Sequence, residues 1–164
     1  LKLDIGCGLN PRIPLHEWIH LDKHPGPHIE IVGDFGVIPL PDGEVEQIHL
    51  GDVIEHVEMW RQAEVLREWN RIMKVGGVIG GTTPNLDSVA QRYARGDVSL
   101  DEALIPNIYG WNDRPTEHHF TIYTKVSLTE MFAQYGFEVT DYSRSPGPVE
   151  EPWWLVFSGR KVAG

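Results

Sequence analysis

Leu1-Lys2-Leu3-Asp4-Ile5-Gly6-Cys7-Gly8 opens the chain with apolar residues at 1, 3 and 5 alternating with polar ones, followed by a tripeptide containing two glycines. Alternation at period two predicts a short strand, and the glycines predict a turn that brings main chain close to a ligand. A second apolar run, Trp18-Ile19-His20-Leu21, ends in Asp22. A glycine turn after one parallel strand and a carboxylate at the tip of its neighbour can hold a nucleoside, the backbone against the ligand and the acid accepting from both ribose hydroxyls. Gly-x-Gly also serves ordinary tight turns, so its meaning comes from context. The dinucleotide fingerprint wants a third glycine where Pro11 stands, and its ribose acid about twenty residues on. Asp22 arrives sooner, and Asn10-Pro11-Arg12-Ile13-Pro14 leaves little room for a full helix. A nicotinamide-dependent oxidoreductase is disfavoured.

Further stretches extend the pattern. Leu3-Asp4-Ile5-Gly6-Cys7-Gly8, Leu21-Asp22, Gly33-Asp34-Phe35, Pro39-Leu40-Pro41, Asp52-Val53-Ile54-Glu55-His56-Val57 and Asn70-Arg71-Ile72-Met73-Lys74-Val75-Gly76-Gly77 follow one another in the chain. In that order they resemble the motifs of the class I S-adenosylmethionine-dependent methyltransferases, from Leu1 to about Phe137. Two departures are visible: the segment after Gly8 is short, and no helices precede the first strand. The resemblance implies S-adenosylmethionine as cofactor. It lays Gly6, Cys7 and Gly8 against the methionine and ribose portion, with Asp4 holding the turn or reaching the amino group through water. It gives the ribose hydroxyls to Asp22, the adenine amino group to Asp34, the ring's cover to Phe35, and the border of the methionine part to Gly51 and Asp52.

At 164 residues the chain fits a single domain, 1–164, large enough to bury a core. No apolar run approaches the length that crosses a bilayer, and nothing at the start resembles a signal peptide. Leu1 is not an initiator methionine, which leaves residues upstream of it an open matter. The lone cysteine, Cys7, has no internal partner and suits a reducing, cytoplasmic setting. Fourteen Lys and Arg against twenty-four Asp and Glu give a net charge of -10. That field repels a phosphate backbone, so nucleic acid is disfavoured and a small-molecule, sugar or lipid acceptor is easier to accept.

Along the chain, a loop at 23–27 precedes a third strand at 28–32, and Pro39 to Gly43 make a turn. A fourth strand at 45–51 should deliver Asp52 to His56 into the crevice at the strand ends. Apolar residues at helical spacing predict an amphipathic helix from Glu58 to Met73, stopped by Gly76-Gly77. A glycine-rich fifth strand at 78–83 leads to Asn85, the expected N-cap of a helix at 86–95 that ends at Gly96. Between Gly96 and Thr124 periodicity fades, and the irregular stretch with Tyr109, Trp111, Asp113, Glu117, His118, His119, Phe120 and Tyr123 is where acceptor recognition is expected. Ser127 and Glu130 suggest a capping box and Val126 with Met131 a hydrophobic staple, before a stop at Gly136-Phe137. Strands at 138–142 and 153–158 close the chain around a proline-rich connection at 146–152. The whole reads as an α/β, Rossmann-like three-layer sandwich with a mostly parallel sheet of about seven strands and an antiparallel closing hairpin.

Methyl transfer from a sulfonium is an in-line displacement in which charge disappears, so alignment matters more than acid or base. A base serves only an acceptor that must lose a proton. The spacing of His119, Thr124 and the following helix resembles a signature of these methyltransferases, which makes His119 the first candidate, with His118 and Tyr109 behind it; the alternative is that His119 merely orders its loop. No metal is expected, because adjacent His118 and His119 beside Glu117 or Asp113 would point to opposite faces of an extended segment. A module that binds S-adenosylmethionine or S-adenosylhomocysteine without turnover is the alternative to an enzyme.

Overall fold

The structure, a computed structural model, describes residues 1–9, 11, 13–110, 117–143 and 153–162. Expectations resting on Asn10, Arg12, Trp111, Asp113 and the 146–152 connection lie outside the described residues. The strands are β1 (Lys2–Ile5), β2 (Ile19–Asp22), β3 (Ile31–Val32), β4 (Val45–Gly51), β5 (Met73–Pro84), β6 (Phe137–Ser143) and β7 (Trp154–Lys161). Interspersed are a 3₁₀ turn (Ile54–His56), α1 (Gln62–Ile72), α2 (Leu86–Arg95), α3 (Leu100–Leu104) running into a π-helical turn (Ile105–Tyr109), and α4 (Lys125–Ala133). The strands form one sheet in the order β3-β2-β1-β4-β5-β7-β6. Strands β1 to β5 pair in parallel and β7 runs antiparallel between β5 and β6, which is the Rossmann-like sheet with a closing hairpin read from the sequence. Order reverses between β1 and β4, and such a switch point opens a crevice at the carboxyl ends of the strands.

One hydrophobic cluster fills the centre. Leu3, Ile5, Leu21 and Leu50 from the inner strands are fully buried with Val65, Leu66, Trp69 and Ile72 of α1 and with Phe132 of α4. Trp69 keeps its indole N–H satisfied by donating to the Phe35 carbonyl at 2.9 Å, so the largest core side chain is buried without an orphaned donor. No helix among the described residues is long and apolar enough to cross a membrane.

Several expected boundaries move. β3 is only Ile31–Val32, because a turn takes Ile29 N–H to Gly26 O and the Glu30 carboxylate accepts from His20 N–H at 2.7 Å. α1 begins at Gln62 rather than Glu58: the preceding residues form the 3₁₀ turn and a loop, and Met59 is exposed. That helix ends in an extended Met73 and passes directly into β5, so Gly76 and Gly77 do not stop it. They belong to an irregularity in which register passes from Val45↔Met73 to Gln47↔Val78.

The cap of α4 is Thr124, three residues before the expected Ser127. Thr124 accepts from Ser127 N–H and Ser127 returns the bond to Thr124 N–H, so Ser127 is the third helical residue; Val126 is exposed and makes no staple. At the expected stop, Gly136 has φ 80 and the Phe132 and Phe137 rings meet beside it, centroids 5.7 Å apart. Asn85 caps α2 and Gly96 ends it in the left-handed conformation, as read. The stretch after Gly96 is not wholly irregular: Ser99 and Glu102 form a capping box that starts α3.

Candidate functional site

The site grows from strand register. Asp4 on β1 is opposite His20 on β2 and His49 on β4, and residues level with one another on adjacent strands present their side chains to one face. Asp4, only 2% exposed, accepts from His20 Nδ1 at 3.0 Å and from His49 Nδ1 at 2.7 Å. A buried carboxylate held by two N–H donors avoids the penalty of an unpaired charge. Asp4 therefore ties three strand tips together just below the glycine turn. The pairing to His20 and His49 was not anticipated, although each histidine lies two residues before a strand-end residue, Asp22 or Gly51, as Asp4 lies two before Gly6.

At the turn itself Gly6 has φ 64 and Gly8 φ 66. A Cβ on Gly6 would meet the Val53 side chain at 2.8 Å, so both conformation and space require glycine there, whereas at Gly8 only conformation does. Gly8 N–H donates to Asp22 Oδ2 at 2.9 Å, and Asp22 Oδ1 accepts from His24 N–H at 2.9 Å. The bend and the second-strand carboxylate thus meet, on one edge of the crevice. Cys7 sits among them, its thiol pushed up to about 12 by burial and then by the Asp4 and Asp22 charges, which leaves it protonated and unreactive.

Asp34 and Phe35 follow β3. Both Asp34 oxygens meet the Arg61 guanidinium, at 2.6 and 3.0 Å, and one also accepts from Gly36 N–H at 2.7 Å. Arg61 beside it holds the Asp34 carboxyl below the usual range. Phe35 is partly buried against the core, with the Arg61 guanidinium 6.0 Å from its ring centre.

On the other edge, β4 ends at Gly51 and Asp52, a non-glycine residue at φ 56. Asp52 N–H bonds Thr82 O and its carboxylate accepts from Thr82 Oγ1 at 2.7 Å, so the strained residue is clamped by β5. The 3₁₀ turn then presents Glu55, fully buried and accepting from Thr83 Oγ1 at 3.0 Å, and His56. Segment 117–123 docks on that turn: Phe120 and Thr121 N–H both donate to Glu55 O. The docking sets His119 against His56, ring centroids 4.8 Å apart and planes at 81°. Burial is the main force lowering both imidazoles below the ordinary histidine value.

The three candidates around the acceptor differ in place. His119 faces His56; His118 turns the other way, its ring 4.9 Å from that of Phe120; Tyr109 is half exposed and its carbonyl accepts from His119 N–H at 3.1 Å. Glu55 and His56 lie in a stretch expected to face the crevice, but their partnership with His119 depends on a fold-back that local sequence does not encode. A concavity of about 620 Å³ lies at the opposite ends of the strands, lined by Asp42, Arg71, Lys74 and Lys161 among others. Of the cations there, Arg71 is paired with Asp42 and Glu68, Lys74 with Glu46, and Lys161 donates to the Asn70 and Met73 carbonyls.

A switch-point crevice edged by a glycine bend and a second-strand carboxylate defines a nucleoside-binding α/β protein of the class I methyltransferase type. The sequence profile described as "Methyltransferase domain" matches residues 6–142, and the chain belongs to that family, the class I S-adenosylmethionine-dependent methyltransferases. A protein of Mycolicibacterium smegmatis described as a probable S-adenosylmethionine-dependent methyltransferase is 30% identical over 109 residues, 66% of this chain. The chain spans 35% of that relative's length. Among solved structures, the fold is similar to that of the 1,6-didemethyltoxoflavin-N1-methyltransferase of Burkholderia thailandensis, bound to 1,6-didemethyltoxoflavin and S-adenosylhomocysteine. The TM-score is 0.70 at 13% identity, covering 99% of this chain and 71% of that one. A methyltransferase of Mesorhizobium loti aligns at TM-score 0.68 and 18% identity, over 97% and 89% of the two chains.

Proposed function

We propose that this chain transfers a methyl group from S-adenosylmethionine to a small-molecule, sugar or lipid acceptor. The observation that carries the reading is the 2.9 Å bond from Gly8 N–H to Asp22, which sets a side-chain-free bend and a carboxylate side by side at the switch point. Asp22 Oδ2, bonded to Gly8 N–H, retains a second lone pair for one ribose hydroxyl, and Oδ1, which faces His24 N–H at 2.9 Å and His24 Nδ1 at 3.3 Å, receives the other once the exposed His24 ring turns away. Gly6, Cys7 and Gly8 lie along the donor, Asp4 supports the bend from beneath, and Gly51 and Asp52 flank the methionine part. Asp34 retains acceptor capacity beside Arg61 for the adenine amino group, and Phe35 covers the ring.

The acceptor enters from the side of His56, His118, His119 and Tyr109. His119 Nδ1 lies 3.0 Å from the Asn107 carbonyl, which can only accept, so the proton is on Nδ1 and Nε2 carries the lone pair. That lone pair takes the acceptor's proton while the acceptor displaces the thioether from the methyl carbon, the sulfur keeping the bonding pair. His118 and Tyr109 shape the entrance through their neighbours. The net charge of -10 favours a small or uncharged acceptor over nucleic acid, and the Burkholderia thailandensis enzyme's acceptor is itself a small molecule. The lone, protonated thiol fits a reducing cytoplasm.

Calorimetry with S-adenosylhomocysteine tests the site. Asp22→Ala should weaken binding about tenfold or more, since two hydrogen bonds to a carboxylate are lost; unchanged affinity removes the basis of the reading. Radiolabelled donor with a panel of acceptors tests turnover, and binding without transfer to any of them would mark a binding module instead.

A further inference from the structure

We propose that Glu55, His56 and His119 together hold a divalent transition-metal ion on the acceptor side of the crevice, and that the ion binds the acceptor through a hydroxyl oxygen. This rests on the methyl-transfer reading of the crevice and narrows its acceptor class. One donor atom from each of the three residues lies within 4.8 Å of the other two. Ligands about 2.1 Å from an ion stand at most about 4.2 Å apart, so a small rotation of the imidazoles closes the site.

The hydrogen bonds aim the ligands. His56 Nδ1 is 3.0 Å from the His118 carbonyl and His119 Nδ1 is 3.0 Å from the Asn107 carbonyl. Carbonyls cannot donate, so both rings are fixed as the Nδ1–H tautomer with an Nε2 lone pair, the arrangement in which a backbone acceptor orients a metal-bound histidine. Glu55 is fixed as well, one oxygen accepting from Thr83 Oγ1 and its carbonyl receiving Phe120 and Thr121 N–H. The two segments carrying the ligands are therefore joined before any ion arrives. Two imidazoles and a carboxylate suit Zn²⁺, Co²⁺ or Mn²⁺ better than Mg²⁺ or Ca²⁺, and three protein ligands leave positions open for an acceptor oxygen.

The expectation of no metal rested on His118 paired with His119, and indeed their rings face different neighbours. The partner of His119 is instead His56. A second cluster, Asp4, Cys7 and His20, is equally close, but Asp4 and His20 bind each other and the Cys7 thiol is held protonated. With the ion bound, His119 serves as ligand rather than base. The ion lowers the pKa of the bound hydroxyl, whose proton passes to water; the oxygen then forms the bond to the methyl carbon as the C–S bond breaks and sulfur keeps the pair. The products are a methyl ether, S-adenosylhomocysteine and a proton.

The test is titration of chelator-stripped protein with Co²⁺, followed by visible absorption, and with Zn²⁺ by calorimetry. One equivalent should bind, and His56→Ala, His119→Ala and the near-isosteric Glu55→Gln should each weaken binding about tenfold or more. Affinity for S-adenosylhomocysteine without metal should stay within about twofold in these variants, which shows that they are folded. The proposal is overturned if protein that binds S-adenosylhomocysteine takes up no stoichiometric Co²⁺ below about 1 mM, or if His119→Ala binds it as tightly as the parent. Loss of S-adenosylhomocysteine binding in the parent, with Co²⁺ binding intact, would overturn the methyl-transfer reading alone.

Discussion

Single residues set the two edges of the crevice by different means. Gly6 is demanded by φ 64 and by Val53 at 2.8 Å from where a Cβ would stand. Gly6→Ala should cost about 1–2 kcal/mol from the left-handed backbone alone, with more from the displaced Val53, and urea unfolding measures it. At the other edge, burial lowers His56 and His119 below the ordinary histidine value. In chelator-stripped protein, where His119 is free to act as base, kcat/KM should be flat at neutral pH and fall on the acid side with a midpoint below about 6.5; a midpoint above that value would contradict the assigned environment. The same shift acts on stability. Above the unfolded value both states are neutral and stability is full; as pH falls, the unfolded chain takes up protons first, and stability is lost down through the lowered folded value. His119→Ala should flatten part of that acid-side slope in thermal melts at stepped pH.

At the level of elements, the crevice depends on where helices start and on what holds the loops. Thr124 caps α4 while Ser127 does not, although Ser127-x-x-Glu130 fits the capping-box pattern and Thr124-x-x-Ser127, with a hydroxyl in place of Glu or Gln, does not. Tyr123 decides: its carbonyl accepts from Leu86 N–H and it bridges Asn85, which keeps it extended and lets the helix begin directly after Thr124. Thr124→Ala should therefore cost about 1 kcal/mol, measurable by denaturant midpoint, whereas Glu130→Ala should cost little. The Arg61–Asp34 pair links the loop after β3 to the start of α1, but Arg61 and Asp34 remain partly exposed, 24% and 46%. A double-mutant cycle on the two should give a coupling of about 0.2–1 kcal/mol, because solvent screens such a pair.

Across the whole molecule, Trp69 connects the core to the crevice, packing α1 against the sheet while its indole holds the Phe35 carbonyl. Trp69→Ala should cost about 3–5 kcal/mol, a large share of a typical stability of about 5–15 kcal/mol, and Trp69→Phe less, since packing is mostly kept and one buried carbonyl is orphaned; chemical denaturation separates the two. Strands alternating with helices along the chain were enough to read a mostly parallel sheet, and the glycines at 6 and 8 with the acid at 22 were enough to set a bend beside a carboxylate, because strand period and positive φ are written residue by residue. Element limits were less legible where a local pattern pointed to the wrong start, as at Ser127, or was overridden by register, as at Gly76 and Gly77. The partners of Asp4 and the facing of His119 on His56 were decided only by tertiary structure. They arise from three strands in lateral register and from a Glu55 carbonyl that captures N–H groups far along the chain, distances over which sequence spacing carries no geometry.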